Sequence, residues 1–167
     1  MTAAAPASAP TSPAHGINSV AVIGFGTMGS GIAHVCALAG VPVRVIEPSE
    51  AVIERDMAQI DSYLARGVDK GRITPEQRSE TMARIVPATD LSHAFSADLV
   101  IEAAPERLEL KQDIFRTLDE NVHDSTILAS NTSALSITEI AAATTRPERV
   151  LGMHFFNPAP VLPLVEV

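Results

Sequence analysis

The sequence is poor in cysteine, in basic residues and in long apolar runs. Its single cysteine, Cys36, cannot form a disulfide within the chain, which excludes a secreted disulfide scaffold. No apolar run reaches the roughly eighteen residues of a membrane span, so no membrane contact is predicted. The 12 Lys and Arg against 20 Asp and Glu leave a net charge of −8, which excludes a basic face for nucleic acid. We therefore expect an acidic, cytoplasmic protein, and no motif predicts a metal site.

What is present suits one folded domain. The chain has 167 residues, of which 46% are apolar and 19% charged, so it is long enough to bury roughly two thirds of its unfolded surface. Residues 1–16 are the exception, because they are almost wholly Ala, Pro, Ser and Thr and cannot bury enough apolar surface to become ordered. We predict a disordered tail over 1–16, with a docking segment for a partner as the alternative, and a folded domain over 17–167.

Short apolar runs alternate with amphipathic stretches along the predicted domain. This alternation is typical of a parallel sheet covered by helices, and continuous apolar runs are typical of strands buried on both faces. We therefore predict an α/β fold with a mostly parallel, doubly wound sheet. The predicted strands are Val20–Ile23, Val41–Ile46, Arg84–Val86, Leu99–Ala103, Thr126–Ala129, Val150–Phe155 and Leu162–Val167.

A helical insert follows the second predicted strand. Apolar residues recur there at spacings of three and four, which indicates one buried helix face; they are Ile53, Met57, Ile60 and Leu64. Thr74 then supplies an N-cap, followed by a proline at the first helical position and a capping-box glutamine. We predict a helical hairpin over 49–83.

A glycine-rich loop directly follows the first predicted strand. In a G-x-G-x-x-G pattern the first glycine allows a tight turn, the second lets a pyrophosphate approach the backbone, and the third lets the helix pack on the strand. The helix that follows points its N–H groups and positive dipole end at the phosphates. A glycine-rich turn without function is the alternative. The residues predicted to bind the dinucleotide are Gly24, Gly26, Thr27, Met28 and Gly29.

Glu47 stands at the end of the second predicted strand. An acid at this position accepts the ribose hydroxyls of NAD and repels the 2′-phosphate of NADP. Neither Pro48 nor Ser49 offers a positive charge that would bind that phosphate. The order of strand, loop, helix, strand and acid therefore predicts a Rossmann-type domain that binds NAD.

One of the five histidines differs from the rest in its setting. His154 ends an apolar strand at the edge where open parallel sheets bind ligands, whereas residues such as His34 are interpreted as packed or surface side chains. Glu166 is the only charge in the last predicted strand, and such a carboxylate normally has a partner, for which the topology favours His154. This pair suits hydride transfer from an alcohol, with His154 as the base and Glu166 orienting its ring.

Two other polar groups near this edge have ordinary interpretations. Residues 130–133 read Ser-Asn-Thr-Ser, which by itself is typical of a turn that caps a helix. Glu106 follows a proline after the fourth predicted strand and is typical of an acid at a helix start.

Several segments together carry the motifs of a known family. They are 24–33 (GFGTMGSGIA), 101–108 (IEAAPERL), 129–133 (ASNTS), 154–158 (HFFNP) and 164–167 (LVEV). The sequence resembles the L-3-hydroxyacyl-CoA dehydrogenases, which include bacterial 3-hydroxybutyryl-CoA dehydrogenases. The resemblance covers nearly everything from Ile17 to Val167 and implies the N-terminal, NAD-binding domain of such an enzyme.

The resemblance implies roles for further residues. Ser133 matches a serine that hydrogen-bonds the substrate oxygen, which makes it a candidate for both catalysis and substrate binding. Glu106, Lys111 and Asn157 match positions that line the cofactor. The predicted helical hairpin resembles the arm that contacts coenzyme A, and Lys70 is the candidate phosphate contact on it.

The implied reaction is the reversible oxidation of a 3-hydroxyacyl-CoA, such as the short-chain 3-hydroxybutyryl-CoA, with NAD in fatty-acid or butanoate metabolism. Two alternatives stay open: a non-catalytic NAD-binding module, and a lambda-crystallin-like hydroxyacid or sugar-acid dehydrogenase. Family members continue with a helical second domain that usually forms the homodimer interface. We therefore expect a truncated chain that binds NAD and turns over weakly by itself, because half a cleft neither positions substrate nor excludes water.

Overall fold

A computed structural model describes residues 16–167 of the chain. Its centre is a parallel sheet of six strands in the order β3-β2-β1-β4-β5-β6. The predicted doubly wound sheet is thereby confirmed, while the predicted tail lies outside the described residues except for Gly16. The strands are β1 (Val20–Ile23), β2 (Val43–Ile46), β3 (Ile85–Ala88), β4 (Leu99–Glu102), β5 (Ile127–Ser130) and β6 (Val150–Gly152).

Helices cover both faces of this sheet. They are α1 (Thr27–Leu38), α2 (Glu50–Asp69), α3 (Pro75–Arg84), α4 (Leu108–Asn121) and α5 (Ile137–Ala141). Along β1 the side chains alternate between two cores: Val20 and Val22 pack with residues of α1 and α2, and Ala21 and Ile23 with residues of α4 and α5. Both faces of each central strand are therefore buried, which explains the continuous apolar runs. None of these helices is both long and apolar enough to cross a membrane.

The predicted hairpin over 49–83 is confirmed as α2 and α3. Ser49 caps α2 by accepting a hydrogen bond from the Val52 N–H, and Thr74 and Gln77 form the predicted capping box at the start of α3. The two helices are joined by Arg78, which donates two hydrogen bonds of 2.7 and 2.8 Å to the Asp61 carboxylate.

The last two predicted strands are wrong in their extent. Val150–Phe155 is divided into β6 and a separate two-residue strand, β7 (His154–Phe155), which pairs antiparallel with β8 (Val165–Glu166). Of the predicted strand Leu162–Val167, only β8 is extended and paired. Prolines near the start of this segment remove N–H donors that a longer ladder needs. The predicted strand Val20–Ile23 is confirmed at both ends as β1, and the ends of the remaining predicted strands differ by no more than two residues, as at β2, which starts after Pro42.

Candidate active site

The glycine loop between β1 and α1 leaves no room for side chains at two positions. Gly24 has a φ of +88°, and a Cβ on it would lie 2.8 Å from the Ala103 carbonyl oxygen. A Cβ on Gly29 would lie only 1.8 Å from the Gly24 carbonyl oxygen. Glycine is therefore required at both positions, one for the backbone conformation and one for the close packing of helix on loop.

The start of α1 is open in the way that a phosphate site requires. No side chain caps this helix at Gly26, and its first turn holds no acidic residue. Nothing lies within 4 Å of the position that a Cβ on Gly26 would take. The loop therefore offers unblocked N–H groups, a positive helix end and free space, which together fit the pyrophosphate of a dinucleotide.

Glu47 lies beside this loop, at the end of β2. Its carboxylate accepts one hydrogen bond from the Phe25 N–H and one from the Ser49 N–H, each 3.1 Å long. These bonds hold a half-buried carboxylate between the glycine loop and the start of α2. A carboxylate has about four acceptor sites, so Glu47 retains capacity for the ribose hydroxyls for which it is predicted.

A cleft lies next to the loop, at the carboxyl ends of β4, β5 and β6. We call it the histidine cleft; its lining residues are Met28, Ala103, Ala104, Glu106, Lys111, Asn131, Ser133, His154, Phe155, Phe156 and Asn157. Most of the side chains predicted around the nicotinamide and the substrate thus share one cleft. Of the other predicted residues, Thr27 lines a neighbouring cleft between α1 and α2, and Lys70 caps the far end of α2. Glu166, the predicted partner of His154, is not among the residues that line the histidine cleft.

His154 and Glu166 face each other across the small antiparallel sheet, where they are register partners. Nδ1 of His154 lies 3.4 Å from Oε2 of Glu166, and the histidine ring packs on Phe156 with 4.7 Å between ring centres. The predicted contact of this pair is thus present in the structure. Because Nδ1 is turned to the carboxylate, Nε2 is the nitrogen left to exchange a proton with a ligand.

Lys111 lies beneath the cleft and is buried in a network that includes Glu102. Its Nζ is 2.6 Å from Glu102 Oε1, 3.2 Å from the Ala104 carbonyl oxygen and 3.3 Å from Glu106 Oε2. Two of the three N–H donors of the ammonium group thus form hydrogen bonds to Glu102 and Ala104, and the contact with Glu106 is an ion pair. Lys111 therefore lines the cleft while its ammonium group is turned towards protein partners.

Glu102 was not among the predicted site residues, although it is at the centre of this network. It is fully buried at the end of β4 and accepts hydrogen bonds of 2.6 Å each from the Ala104 N–H, from Lys111 and from the Ser130 hydroxyl. A charge at the end of an apolar strand is the same pattern that singled out Glu166, and it also predicts a partner for Glu102.

Asn131 is the second residue that sequence reasoning missed. Its side-chain oxygen accepts a 2.8 Å hydrogen bond from the Phe155 N–H, which ties the end of β5 to the strand of His154. The neighbouring Thr132 accepts from the Leu135 N–H and donates to the Glu106 carboxylate. The turn at 130–133 does not cap α5, whose N-cap is Ser136, so its ordinary interpretation as a helix cap is wrong. The turn instead bonds to the segment before α5 and holds the walls of the cleft together.

Comparison with known proteins assigns this arrangement to a family. Residues 19–167 match the family model described as the NAD binding domain of 3-hydroxyacyl-CoA dehydrogenase. The chain belongs to the 3-hydroxyacyl-CoA dehydrogenase family. Its match is to the domain that binds NAD, and the glycine loop and Glu47 described above fit that cofactor.

Relatives within the 3-hydroxyacyl-CoA dehydrogenase family are similar over most of this chain. A 3-hydroxybutyryl-CoA dehydrogenase of Mycobacterium tuberculosis is 49% identical over 152 residues, covering 90% of the chain and 53% of the relative. A 3-hydroxyadipyl-CoA dehydrogenase of Escherichia coli is 48% identical, covering 90% of the chain and 32% of the relative. The crystal structure of a Ralstonia eutropha (S)-3-hydroxybutyryl-CoA dehydrogenase matches with a TM-score of 0.86 at 42% identity, over 89% of this chain and 53% of that one. The chain thus spans about half the length of such relatives, or less.

Proposed function

We propose that the protein catalyses the reversible, NAD-dependent oxidation of a short-chain 3-hydroxyacyl-CoA to the 3-oxoacyl-CoA. The observation that carries this proposal is His154, which is paired with Glu166 and lines a cleft that begins at the NAD loop with Met28. Hydride transfer from an alcohol needs a base within reach of the hydroxyl group and a hydride acceptor beside the same carbon.

The chemistry assigns one task to each residue of the pair. NAD, when bound, supplies the acceptor for the hydride that leaves C3 of the substrate. Nε2 of His154 takes the hydroxyl proton, so that the carbon–oxygen bond becomes a carbonyl and the ring becomes an imidazolium. Glu166 holds Nδ1–H and stabilises that positive charge, and in the reverse direction His154 returns the proton. Ser133, exposed at the rim, donates a hydrogen bond to the substrate oxygen.

The substrate class rests on the relatives and on the arm formed by α2 and α3. Relatives at about half identity are named for 3-hydroxybutyryl-CoA and 3-hydroxyadipyl-CoA. Lys70 is one of only two lysines in the chain and stands exposed at the end of α2, where an ammonium group can bind a phosphate of coenzyme A. Glu106 and Asn157, which line the histidine cleft, complete the proposed surroundings of the cofactor.

His154→Gln tests this proposal, because glutamine cannot act as a base. In the full-length protein we expect the variant to lose turnover of acetoacetyl-CoA, followed through NADH absorbance, while calorimetry shows nearly unchanged NAD binding. His93→Gln is the matched control, since His93 is exposed and lies outside the cleft.

The possible outcomes separate the proposed reaction from its alternatives. Wild-type-like rates in His154→Gln contradict the role of the base. Activity of the wild-type protein on free hydroxyacids alone indicates a lambda-crystallin-like dehydrogenase, and NADH binding without any turnover indicates a non-catalytic module.

We also propose that the full-length protein is a homodimer in the cytoplasm. The homodimer is what the family resemblance implies, and the single cysteine, which cannot form a disulfide within the chain, supports a reducing compartment. Sedimentation analysis and cell fractionation test the two statements separately.

A further inference from the structure

Three charged side chains form a compact group at one wall of the histidine cleft. Lys111 lies between two carboxylates, 2.6 Å from Glu102 and 3.3 Å from Glu106. We call these three residues the lysine triad. Two carboxylates and one ammonium group leave the triad with one net negative charge.

The position of that excess charge follows from burial. Glu102 and Lys111 are 0% and 1% exposed, and the shorter of the two ion pairs joins them. Glu102 receives two further hydrogen bonds, from the Ala104 N–H and the Ser130 hydroxyl, so its charge is compensated inside the protein. Glu106 is 43% exposed and lines the cleft. The uncompensated negative charge therefore lies on Glu106, at the surface that faces a ligand.

Glu106 is held in place and ionised. Partial burial by itself raises the pKa of Glu106, but the hydrogen bond from the Thr132 hydroxyl and the positive charge of Lys111 outweigh it, so the pKa is lowered. The Thr132 bond also restricts where the carboxylate can turn. Among the residues that line the cleft, Lys111 is the only permanent cation, and its ammonium group donates to Glu102 and to the Ala104 carbonyl oxygen.

The two redox forms of the cofactor differ in charge at one ring. The nicotinamide of NAD⁺ carries a positive charge and that of NADH carries none, whereas the adenosine and pyrophosphate are identical in both. Contacts at Glu47 and the glycine loop therefore contribute equally to the affinities for NAD⁺ and for NADH, and they do not affect the ratio of the two. A fixed carboxylate at the nicotinamide acts on only one of the two forms.

We propose that Glu106 makes the site discriminate between the redox forms of the cofactor by favouring NAD⁺ over NADH. This inference rests on the proposed function in one respect, because hydride transfer at His154 requires the nicotinamide to lie in the histidine cleft. The negative charge of Glu106 causes the discrimination, and Glu102 and Lys111 hold the Glu106 carboxylate in position. The consequence is that the ratio of NAD⁺ affinity to NADH affinity is higher than it would be without the charge of Glu106.

The test is to measure the dissociation constants of NAD⁺ and NADH by calorimetry for the full-length wild-type protein and for Glu106→Gln. Glutamine removes the charge and keeps an acceptor for Thr132. We expect affinity for NAD⁺ to fall about tenfold relative to affinity for NADH, the scale of one ion interaction at a half-exposed site. Glu106→Asp keeps the charge, and we expect it to retain most of the discrimination.

Glu109→Gln is the matched control, because Glu109 is exposed on α4, outside the cleft, and the substitution changes the net charge equally. An equal loss of affinity for both redox forms in Glu106→Gln, or the same change of ratio in Glu109→Gln, overturns the proposal. Turnover of acetoacetyl-CoA is measured separately on the wild-type protein. If Glu106→Gln changes the ratio of NAD⁺ affinity to NADH affinity but the wild-type protein shows no turnover, the charge effect is supported and the proposed substrate is contradicted. If the wild-type protein turns over acetoacetyl-CoA but the ratio is unchanged in Glu106→Gln, the proposed substrate is supported and the charge effect is contradicted.

Discussion

A lysine–glutamate pair and a histidine–glutamate pair lie at the same cleft and differ in almost every physical respect. Lys111 and Glu102 are 2.6 Å apart and 1% and 0% exposed, whereas His154 and Glu166 are 3.4 Å apart and 26% and 73% exposed. The first pair joins α4 to a strand of the six-stranded sheet. The second is carried by strands of two residues each, outside that sheet.

The difference in burial between the two pairs indicates which task each pair can perform. A buried pair held by several short hydrogen bonds cannot exchange protons or bind a ligand without breaking some of them, so Lys111 and Glu102 are suited to holding the loops after β4 and β5. An exposed pair adds little stability. His154 and Glu166 are free to meet a substrate and to pass a proton to solvent.

The largest expected effect is on the exposed pair and concerns turnover. Glu166→Gln removes the carboxylate that orients the imidazole and stabilises its positive charge, so we expect turnover of acetoacetyl-CoA to fall roughly 10²–10⁴-fold. Stability is expected to stay nearly unchanged because the pair is exposed. Steady-state kinetics over a range of pH, together with chemical denaturation, check both statements.

Glu148→Gln serves as the control for this substitution, since Glu148 is exposed and lies away from the cleft. A pH–rate profile of Glu166→Gln that matches the wild type contradicts the catalytic pair. A large loss of stability contradicts the contrast between the two pairs.

The buried pair is expected to respond in the opposite way. Lys111→Met leaves the Glu102 carboxylate buried without its cation, which we expect to lower the free energy of unfolding by about 3–5 kcal/mol. Urea denaturation measures this change. Lys70→Met is the matched control, because it removes the other lysine at an exposed position. Similar stability losses in both variants mean that burial does not distinguish the two lysines.

A third buried group shows what burial costs without an ionic partner. His34 is 2% exposed, its ring packs edge-on against Tyr63 at 5.1 Å, and Nε2 has no hydrogen-bond partner among the described residues. Burial lowers the pKa of His34 from 6.5 to about 4. Between these two values the unfolded chain binds a proton that the folded chain does not, so stability is lost as the pH falls through this window.

His34→Gln removes this titration. We expect the wild-type protein to lose about 2 kcal/mol more than the variant between about pH 7.5 and about pH 5. Urea denaturation at both pH values gives the difference. If both proteins show the same pH dependence of stability, the pKa of His34 is not lowered in the folded state, which contradicts this prediction.

The predictable parts of the site are those with a local signature. Gly24 and Gly29 were identified from spacing alone, because a tight turn and a close helix contact each demand glycine at a fixed position. The contact between His154 and Glu166 followed from strand order. Asn131 was missed because its partner Phe155 is distant in sequence. Glu102 carried a signal as a charge at the end of an apolar strand, but only strand register brings Ser130 to it.

Lys111 is a residue that the sequence identified but whose hydrogen bonds the sequence could not predict. The resemblance implies that Lys111 lines the cofactor. The structure places it in the wall of the cleft, and its hydrogen bonds to Glu102 and Ala104 depend on how α4 packs against the end of β4. Burial and hydrogen-bond geometry arise when helices and strands pack together, so a short stretch of sequence does not predict them.

The amino-acid sequence by itself determined the parallel sheet, the helical hairpin and the glycine loop, because apolar periodicity, caps and glycine positions act within a few residues of one another. Tertiary structure decided how the charges at the cleft are distributed. It buries Lys111 with Glu102, leaves Glu106 exposed with the excess charge, and carries His154 on a separate small sheet. The reason is that the effect of a charge depends on its solvent exposure and its partners, which exist only once distant strands and helices have packed.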